Sequence, residues 1–373
     1  MKTKSIHIIS FDVPYPADYG GVIDVYYRIK ALYELGFKIH LHCFQYGREE
    51  SSKLNEICEK VSYYPRKRRL LDFFQLRPFI VQTRISKVLE ANLLKDNAPI
   101  LMEGLHCTSI LENKSFKDRT TIVRTHNIEH HYYKGLSKTN NLKDFIYFKL
   151  EAFKLKRYES ILKKSSAILA IQEKDKKHLK KINSNTFLLP ICNKKNKILE
   201  QKETLPYLLF QGNLSVKENQ EAILWLIDNV YNKLKTKPKF IVAGKKPSLS
   251  LKNTLVNNNI ELVENPKQME MDKLIKEARI HLLYTTQATG AKLKLINALQ
   301  SNGHVILNSK LIEGTELSSL CNVCDNPKEF QNNVVNLIHS ELSIHELKSR
   351  NDYFKEKLNA TKNCKLIEEI ITN

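Results

Sequence analysis

The sequence predicts an α/β protein made of two parallel-sheet domains, and three observations predict it. Apolar runs of strand length alternate with stretches of helical period along the whole chain. A complete strand, turn, helix and strand fit within residues 280–308, a unit that requires a parallel sheet. The same plan then appears twice, on either side of a polar stretch without periodicity at residues 192–206. With 373 residues, the chain can fill two cores.

The elements follow in order. IHIISF (6–11) reads as a buried first strand, followed by the loop DVPYPADYGG. VIDVYYRIKALYEL (22–35) is a helix closed by Gly36, and KIHLHCF (38–44) is the second strand. Gly20 and Gly21 stand at the start of that helix, where paired glycines let backbone approach a ligand and the amide end favours an anion. PILMEGLH (99–106) and TTIVRTHNIEHHYY (120–133) each read as a strand delivering polar groups at its carboxyl end. That is the ligand-binding edge of an open parallel sheet, so Glu103, His106, His126, Asn127 and Glu129 are candidate site residues.

KDFIYFKLEAFKLKRYESILKK (143–164) is a long helix whose Phe145, Phe148, Ala152, Leu155 and Leu162 form a core-packing stripe. SAILAI (166–171) and TFLLP (186–190) complete the first half. The second half begins at YLLFQGN (207–213) and continues with a helix over 222–234, FIVAG (240–244) and IELVEN (260–265). IHLLYT (280–285), a turn at 287–290, the helix AKLKLINALQ (291–300) and HVILN (304–308) form the most readable unit. Lys292 and Lys294 stand in the first turn of its helix, the end at which an anion rather than a cation is ordinarily placed. A negative ligand is therefore expected there. A short strand near 320–324 and helices over 327–339, 344–358 and 364–372 end the chain. The expected domains are 1–191 and 207–345 with the linker 192–206, and residues 346–373 return to the first domain.

A hydrophobic share of 42% and a charged share of 27% are ordinary for a soluble globular chain. A net charge of +20 favours an anionic partner, whether a phosphorylated substrate, a membrane surface or nucleic acid. No zinc finger, RNP motif or helix-turn-helix spacing supports nucleic acid. Arg66, Lys67, Arg68 and Arg69 beside LLDFF resemble an interfacial segment able to dock on an anionic membrane. Seven cysteines with a single CxxC pair, Cys321 and Cys324, and no second pair to complete a ligand set, suggest neither zinc nor a disulfide framework and fit a reducing cytoplasm. The apolar start is too short for a signal sequence and no segment is long enough to span a bilayer, so a cytoplasmic protein is expected, peripheral on the inner face of the membrane at most.

Four stretches in order, FDVPYPADYGGVID, THNIEHHYY, FQGNLSVKEN and ATGAKLKLINALQSNGHVILNS followed by EGTEL, together resemble family 4 glycosyltransferases of the GT-B fold. Those of bacterial surface-polysaccharide loci are especially similar. The resemblance implies two Rossmann-like domains facing across a cleft, an acceptor in the first and a UDP- or GDP-linked sugar donor in the second. It implies that Gly20, Gly21, Thr289, Gly290, Lys292 and Lys294 hold the donor diphosphate. Asn213 and Lys217 then take the places of a leaving-phosphate pair, and only Lys217 carries charge. His106 or His126, with Glu103, lies near the transferred sugar, and Asn127 and Glu129 lie on the acceptor or sugar side. Where the family often has two glutamates eight positions apart, this chain has Thr289 and Asn297; the Asn297 amide can still bond ribose hydroxyls.

The activity implied is hexosyl transfer with retention to a glycan or lipid-linked glycan, without cofactor. No aspartate has another two positions on, so a metal route has no visible ligands. A catalytically silent nucleotide-sugar-binding subunit and a nonhydrolysing sugar-nucleotide epimerase are the alternatives.

Overall fold

A computed structural model describes residues 4–138, 141–193, 199–286 and 292–372. The chain divides into two compact units: one holds residues 1–195 and the last helix, the other the intervening segment to residue 356.

In the first unit the strands are β1 (Ser5–Ser10), β2 (Lys38–Gln45), β3 (Lys60–Pro65), β4 (Ile100–Glu103), β5 (Thr121–Arg124), β6 (Ala167–Ala170) and β7 (Thr186–Leu188). They form a parallel sheet in the order β3-β2-β1-β4-β5-β6-β7. Successive residues of a strand point to opposite faces, and here both faces are covered. Ile8, Leu101 and Ile122 enter one core, while Ile9, Met102 and Val123 enter the other. Burial on both sides explains why the central strands read as unbroken apolar runs.

The helix Ala360–Thr372 packs on the helix Gly20–Glu34, with Cys364 and Ile367 in the core. Thr361 Oγ1 donates to Glu34 at 2.8 Å, Lys4 pairs with Glu368, and the Cys192 and Cys364 sulfurs lie 3.8 Å apart. The helix Ile344–Lys357 stays with the second unit, so the chain changes units at Lys357 rather than at 346. The cause is Arg350, a buried side chain of that helix that donates to the Ser301 and Gly303 carbonyls, both at 2.9 Å.

In the second unit β8 (Leu205–Asn213), β9 (Lys239–Lys245), β10 (Glu261–Glu264), β11 (Ala278–Leu283), β12 (His304–Leu307) and β13 (Asn322–Val323) form a parallel sheet ordered β10-β9-β8-β11-β12-β13. Phe210, Val242, Ile280 and Ile306 fill its main core, and Trp225 stacks on Tyr284 at 3.9 Å. Gly212 and Gly244 face each other across β8 and β9, so close that a Cβ on Gly244 would stand 1.9 Å from the Gly212 carbonyl oxygen. Backbone cannot yield as a side-chain tip does. Gly244→Ala is therefore expected to cost about 1–3 kcal/mol, the range of overpacking, as a lowered midpoint in denaturant.

Three expectations differ in detail. The expected helix 143–164 is an α-helix over Leu142–Tyr158 followed by a tighter turn, Glu159–Lys164. In its stripe Leu155 and Leu162 are buried and Phe145, Phe148 and Ala152 are half-buried. β3 was unforeseen: as the edge of the sheet it buries only Tyr64 fully, and KVSYYP carries no apolar run.

Candidate functional site

In each sheet the chain order reverses once, between β1 and β4 in the first and between β8 and β11 in the second. Loops leaving adjacent strands there turn to opposite faces and open a crevice at the carboxyl ends, where ligands of open α/β sheets bind. The candidate residues gather at these two points.

In the first unit, β1 ends beside Phe11 and β4 ends at Glu103. Gly104 then turns the chain with φ +76°, a conformation that favours glycine, and a Cβ there would meet His106 Nδ1 at 2.7 Å. Under this turn lies a fully buried ion network. Arg28 donates to both oxygens of Glu103 at 2.8 Å and to both of Asp24 at 3.2 and 2.8 Å. Arg124 Nε donates to Asp24 at 3.1 Å, and the Cys192 amide donates to Asp24 at 2.7 Å. Burial alone would raise the Glu103 pKa, but Arg28 and His126 outweigh it and hold the carboxylate below its usual range.

Asp24, Glu103 and His126 are close enough to share a metal ion. Their carboxylates are already spent on two arginines, so the group is an ion-pair network without an open ligand set. His130, Glu159 and His178 also approach one another, and there each imidazole is bonded to the carboxylate, at 3.2 and 2.8 Å.

Glu103 was expected to act on substrate. It is fully buried beneath Arg28, and its Oε2 lies 3.0 Å from His126 Nε2, bracing the imidazole from behind. The Phe11 ring lies 5.3 Å from His126 and 5.4 Å from His106. A Cβ on Gly21 would meet that ring at 2.7 Å, so Gly21 serves packing as well as opening the helix Gly20–Glu34. Gly20 is the first residue of that helix, which has no capping side chain and no acid in its first turn. Burial, then the charges of Arg84, His126 and Arg66, hold the His106 pKa far below normal, so this imidazole is neutral. His106 Nδ1 and Asn127 Oδ1 are sealed from solvent without hydrogen-bond partners among the described residues. These are the polar atoms a ligand would satisfy.

Asp12 braces the glycine loop, accepting from Tyr19 Oη at 2.8 Å and from the Val13 and Tyr46 amides. Arg84, whose burial brings its pKa to about 10, donates to the Phe11 carbonyl at 3.0 Å.

Glu129, expected on the acceptor or sugar side, is buried at the start of the helix Glu129–Leu136. Burial raises its pKa to about 8; Arg84 opposes this and Glu159 adds to it. With the folded value above the ordinary 4.5, Glu129 contributes fully to stability below about pH 4.5, and that contribution is lost as pH rises through about 8. Wild-type stability should thus fall between pH 5 and 8 with a slope approaching about 1.4 kcal/mol per unit from this group. Glu129→Gln should flatten the fall, read as melting temperature against pH.

In the second unit β8 ends at Gly212 and Asn213. Asn213 is exposed, and its Oδ1 accepts from the Ser215 amide and hydroxyl, which starts the helix Lys217–Asn229. Asn219 of this helix donates to the Asn213 carbonyl at 2.9 Å and accepts from Lys294 Nζ at 2.9 Å. Gln211 donates to the Lys294 carbonyl at 3.1 Å, and the Lys294 amine stands over the Phe210 ring at 5.4 Å. Burial lowers the Lys294 pKa, with Glu218 opposing. Glu218 also takes the Thr285 hydroxyl, and Thr285 exchanges backbone bonds with the Asn308 amide at 3.1 and 2.8 Å.

The expected helix 291–300 is described as Leu293–Leu299, with Lys292 at its cap and buried. Asn297 is half-buried on it. Thr289 and Gly290 lie outside the described residues. Lys217, whose ammonium was expected beside the leaving phosphate, is largely exposed and reaches toward Glu221 at 3.5 Å. Arg66 and Arg68 were expected to face a membrane with Lys67 and Arg69. Their guanidinium carbons lie 4.3 and 4.4 Å from the Tyr46 ring centre, and Arg66 also donates to Thr83 at 2.9 Å. Lys67, Arg68 and Arg69 are exposed.

Asp24, Arg28, Arg124, Arg84 and Asn219 were not anticipated. Asp24 and Arg28 could have been found as oppositely charged residues four apart among the apolar Val22, Val25, Ile29 and Leu32, where a solvated pair does not belong.

No family model matches the chain. An uncharacterized 44.6 kDa protein in the cps region of Klebsiella pneumoniae is 26% identical over 342 residues, covering 83% of this chain and 84% of its own. A glycosyltransferase from Rickettsia africae superposes with a TM-score of 0.67 at 14% identity, over 100% of both chains. Anabaena HepE in complex with UDP and glucose gives 0.66 at 10% identity, again over 100% of both. A mutant of S. aureus TarM in complex with fondaparinux, α-GlcNAc-glycerol and UDP gives 0.66 at 10%, with the same coverage. The fold is therefore the two-domain α/β fold of GT-B glycosyltransferases.

Proposed function

We propose that this chain is a retaining, metal-independent hexosyltransferase that moves a sugar from a UDP- or GDP-linked donor to a glycan or lipid-linked glycan acceptor of a surface polysaccharide. The reading rests on one observation above the others. Lys294, half-buried and fixed by Asn219, stands at the reversal point of the second sheet, in a fold whose relatives include UDP complexes. An ammonium held in partial burial stabilises a departing diphosphate more than a solvated one, because its position is set before charge develops.

Lys292 and the turn at Thr289 and Gly290 would complete the diphosphate site, and Asn297 would bond the ribose. In the first unit, His126 oriented by Glu103 and the neutral His106 would contact the sugar, with Asn127 offering its carbonyl oxygen. The departing phosphate takes the acceptor proton, so no strong protein base is required. The cps-region relative supports polysaccharide synthesis as the setting.

Asn297, standing where the resemblance calls for an acid, favours a second reading: a nucleotide-sugar binder without turnover. Incubation with a panel of UDP- and GDP-sugars separates the two. Release of the nucleoside diphosphate supports the transferase, and saturable binding without release supports the silent binder. An epimerised donor, or no binding of any donor, overturns both.

A further inference from the structure

The helix Leu142–Tyr158 is apolar on two sides, and its core-facing stripe accounts for only one of them. Leu142, Ile146, Leu150 and Phe153 recur at spacings of four, four and three, which places them within an arc of roughly 80°. All four face solvent, with exposures from 49% to 69%. The segment beside them continues the surface: Leu71 is exposed, and Phe74 and Leu76 are 85% and 87% exposed. The two pieces are locked together. Lys154 Nζ donates to the Phe73 carbonyl at 2.6 Å, Tyr147 meets the Phe73 ring edge-on at 5.7 Å, and Glu151 accepts from the Phe79 amide at 2.7 Å. Single exposed apolar residues are ordinary on a protein surface, but seven on two joined elements form a patch.

We propose that this patch docks the first unit on an anionic phospholipid surface. The charges around it favour lipid as the occupant. Lys143, Lys149, Lys156 and Arg157 are exposed on the same helix, flanking or interrupting the apolar arc. Its two acids are placed elsewhere, Asp144 in the capped first turn and Glu151 buried against Phe79. Lys67 and Arg69 add charge just before Leu71. A helix with an apolar stripe between basic residues lies in the plane of a bilayer interface, its apolar side chains among the acyl chains and its ammonium groups at the phosphates. Leu71, Phe74 and Leu76 project outward rather than lining a groove, which a fluid bilayer accepts without shape complementarity. The inference places the apolar part of the membrane contact on the outer face of this helix, beside the arginine run in which Arg66 and Arg68 stand over Tyr46. It stands on exposure and charge, independently of the proposed transfer reaction.

The test is co-sedimentation of the full chain with phosphatidylglycerol vesicles and with phosphatidylcholine vesicles at low salt. Partitioning to phosphatidylglycerol is expected to exceed that to phosphatidylcholine by at least about 10-fold. The triple variant Ile146→Ser/Leu150→Ser/Phe153→Ser is expected to lose on the order of 100-fold in partitioning at an unchanged melting temperature, since all three positions are exposed. Lys149→Gln/Lys156→Gln/Arg157→Gln, which leaves the apolar stripe whole, is expected to erase the preference for phosphatidylglycerol. A native chain that stays in the supernatant with both vesicles overturns the proposal, as does a folded triple variant that binds like the native chain. A native dimer that the triple variant converts to monomer, without vesicle binding, assigns the surface to a second copy and overturns it too.

Discussion

Lys294→Met is expected to lower turnover by on the order of 100-fold, the scale of one lost transition-state donor. Methionine keeps an unbranched apolar stem over the Phe210 ring, and the bond from Gln211 goes to the backbone carbonyl at position 294, so the helix Leu293–Leu299 keeps its seat. What leaves is the ammonium that Asn219 aims, with the Asn219 carbonyl oxygen then open to water. The form of the loss carries the information. If the ammonium meets charge that develops only as the sugar departs, kcat and kcat/KM fall together. If it binds donor and transition state equally, KM rises alone. Steady-state rates with the donor identified from the sugar panel distinguish the cases, and unchanged kinetics would remove Lys294 from the site.

Arg28→Ala is expected to destabilise the first unit by about 3–5 kcal/mol, the cost of leaving a buried charge without its partner. Arg28 is the sole guanidinium reaching both Asp24 and Glu103 among the described residues, and all three side chains are fully buried. Without it Glu103 keeps only His126 as a partner, and Asp24 keeps Arg124 and the Cys192 amide. Removing charge and countercharge together should cost less than the sum of the single changes. A cycle of Arg28→Met, Glu103→Gln and the double variant, followed in denaturant, measures that coupling. The same cycle separates scaffold from function: Glu103→Gln removes the carboxylate behind His126 and should move the resonances of that ring in NMR even where the unit remains folded.

Legibility in the sequence followed burial. SIHIIS, ILME and ARIHLL stand out because the sheets are covered on both faces and nothing polar is required along most of their length. KVSYYP at the edge meets no such demand and carried no signal. The long helix misled in a different way. Its core stripe was plain, but the second apolar arc of Leu142, Ile146, Leu150 and Phe153 was passed over, because periodicity reports that a face is apolar and not what covers it. Candidate site residues at strand ends were legible as chemistry and not as roles. Glu103 and Glu129 proved to be buried, one paired with arginine and the other with its proton retained. Asn219 could not be read at all, since its partner Lys294 is 75 residues away and only the sheet order brings them together.

The central claim is that the carboxyl edge of the second sheet receives a nucleoside diphosphate through Lys294. Melting temperature measured against increasing UDP and GDP tests it most directly, because a ligand that binds only the folded chain raises it by mass action. The account predicts a saturable rise with at least one of the two, much reduced in Lys294→Met. A flat melting temperature for the native chain with both nucleotides and with their sugars, or an equal rise in the variant, would contradict it.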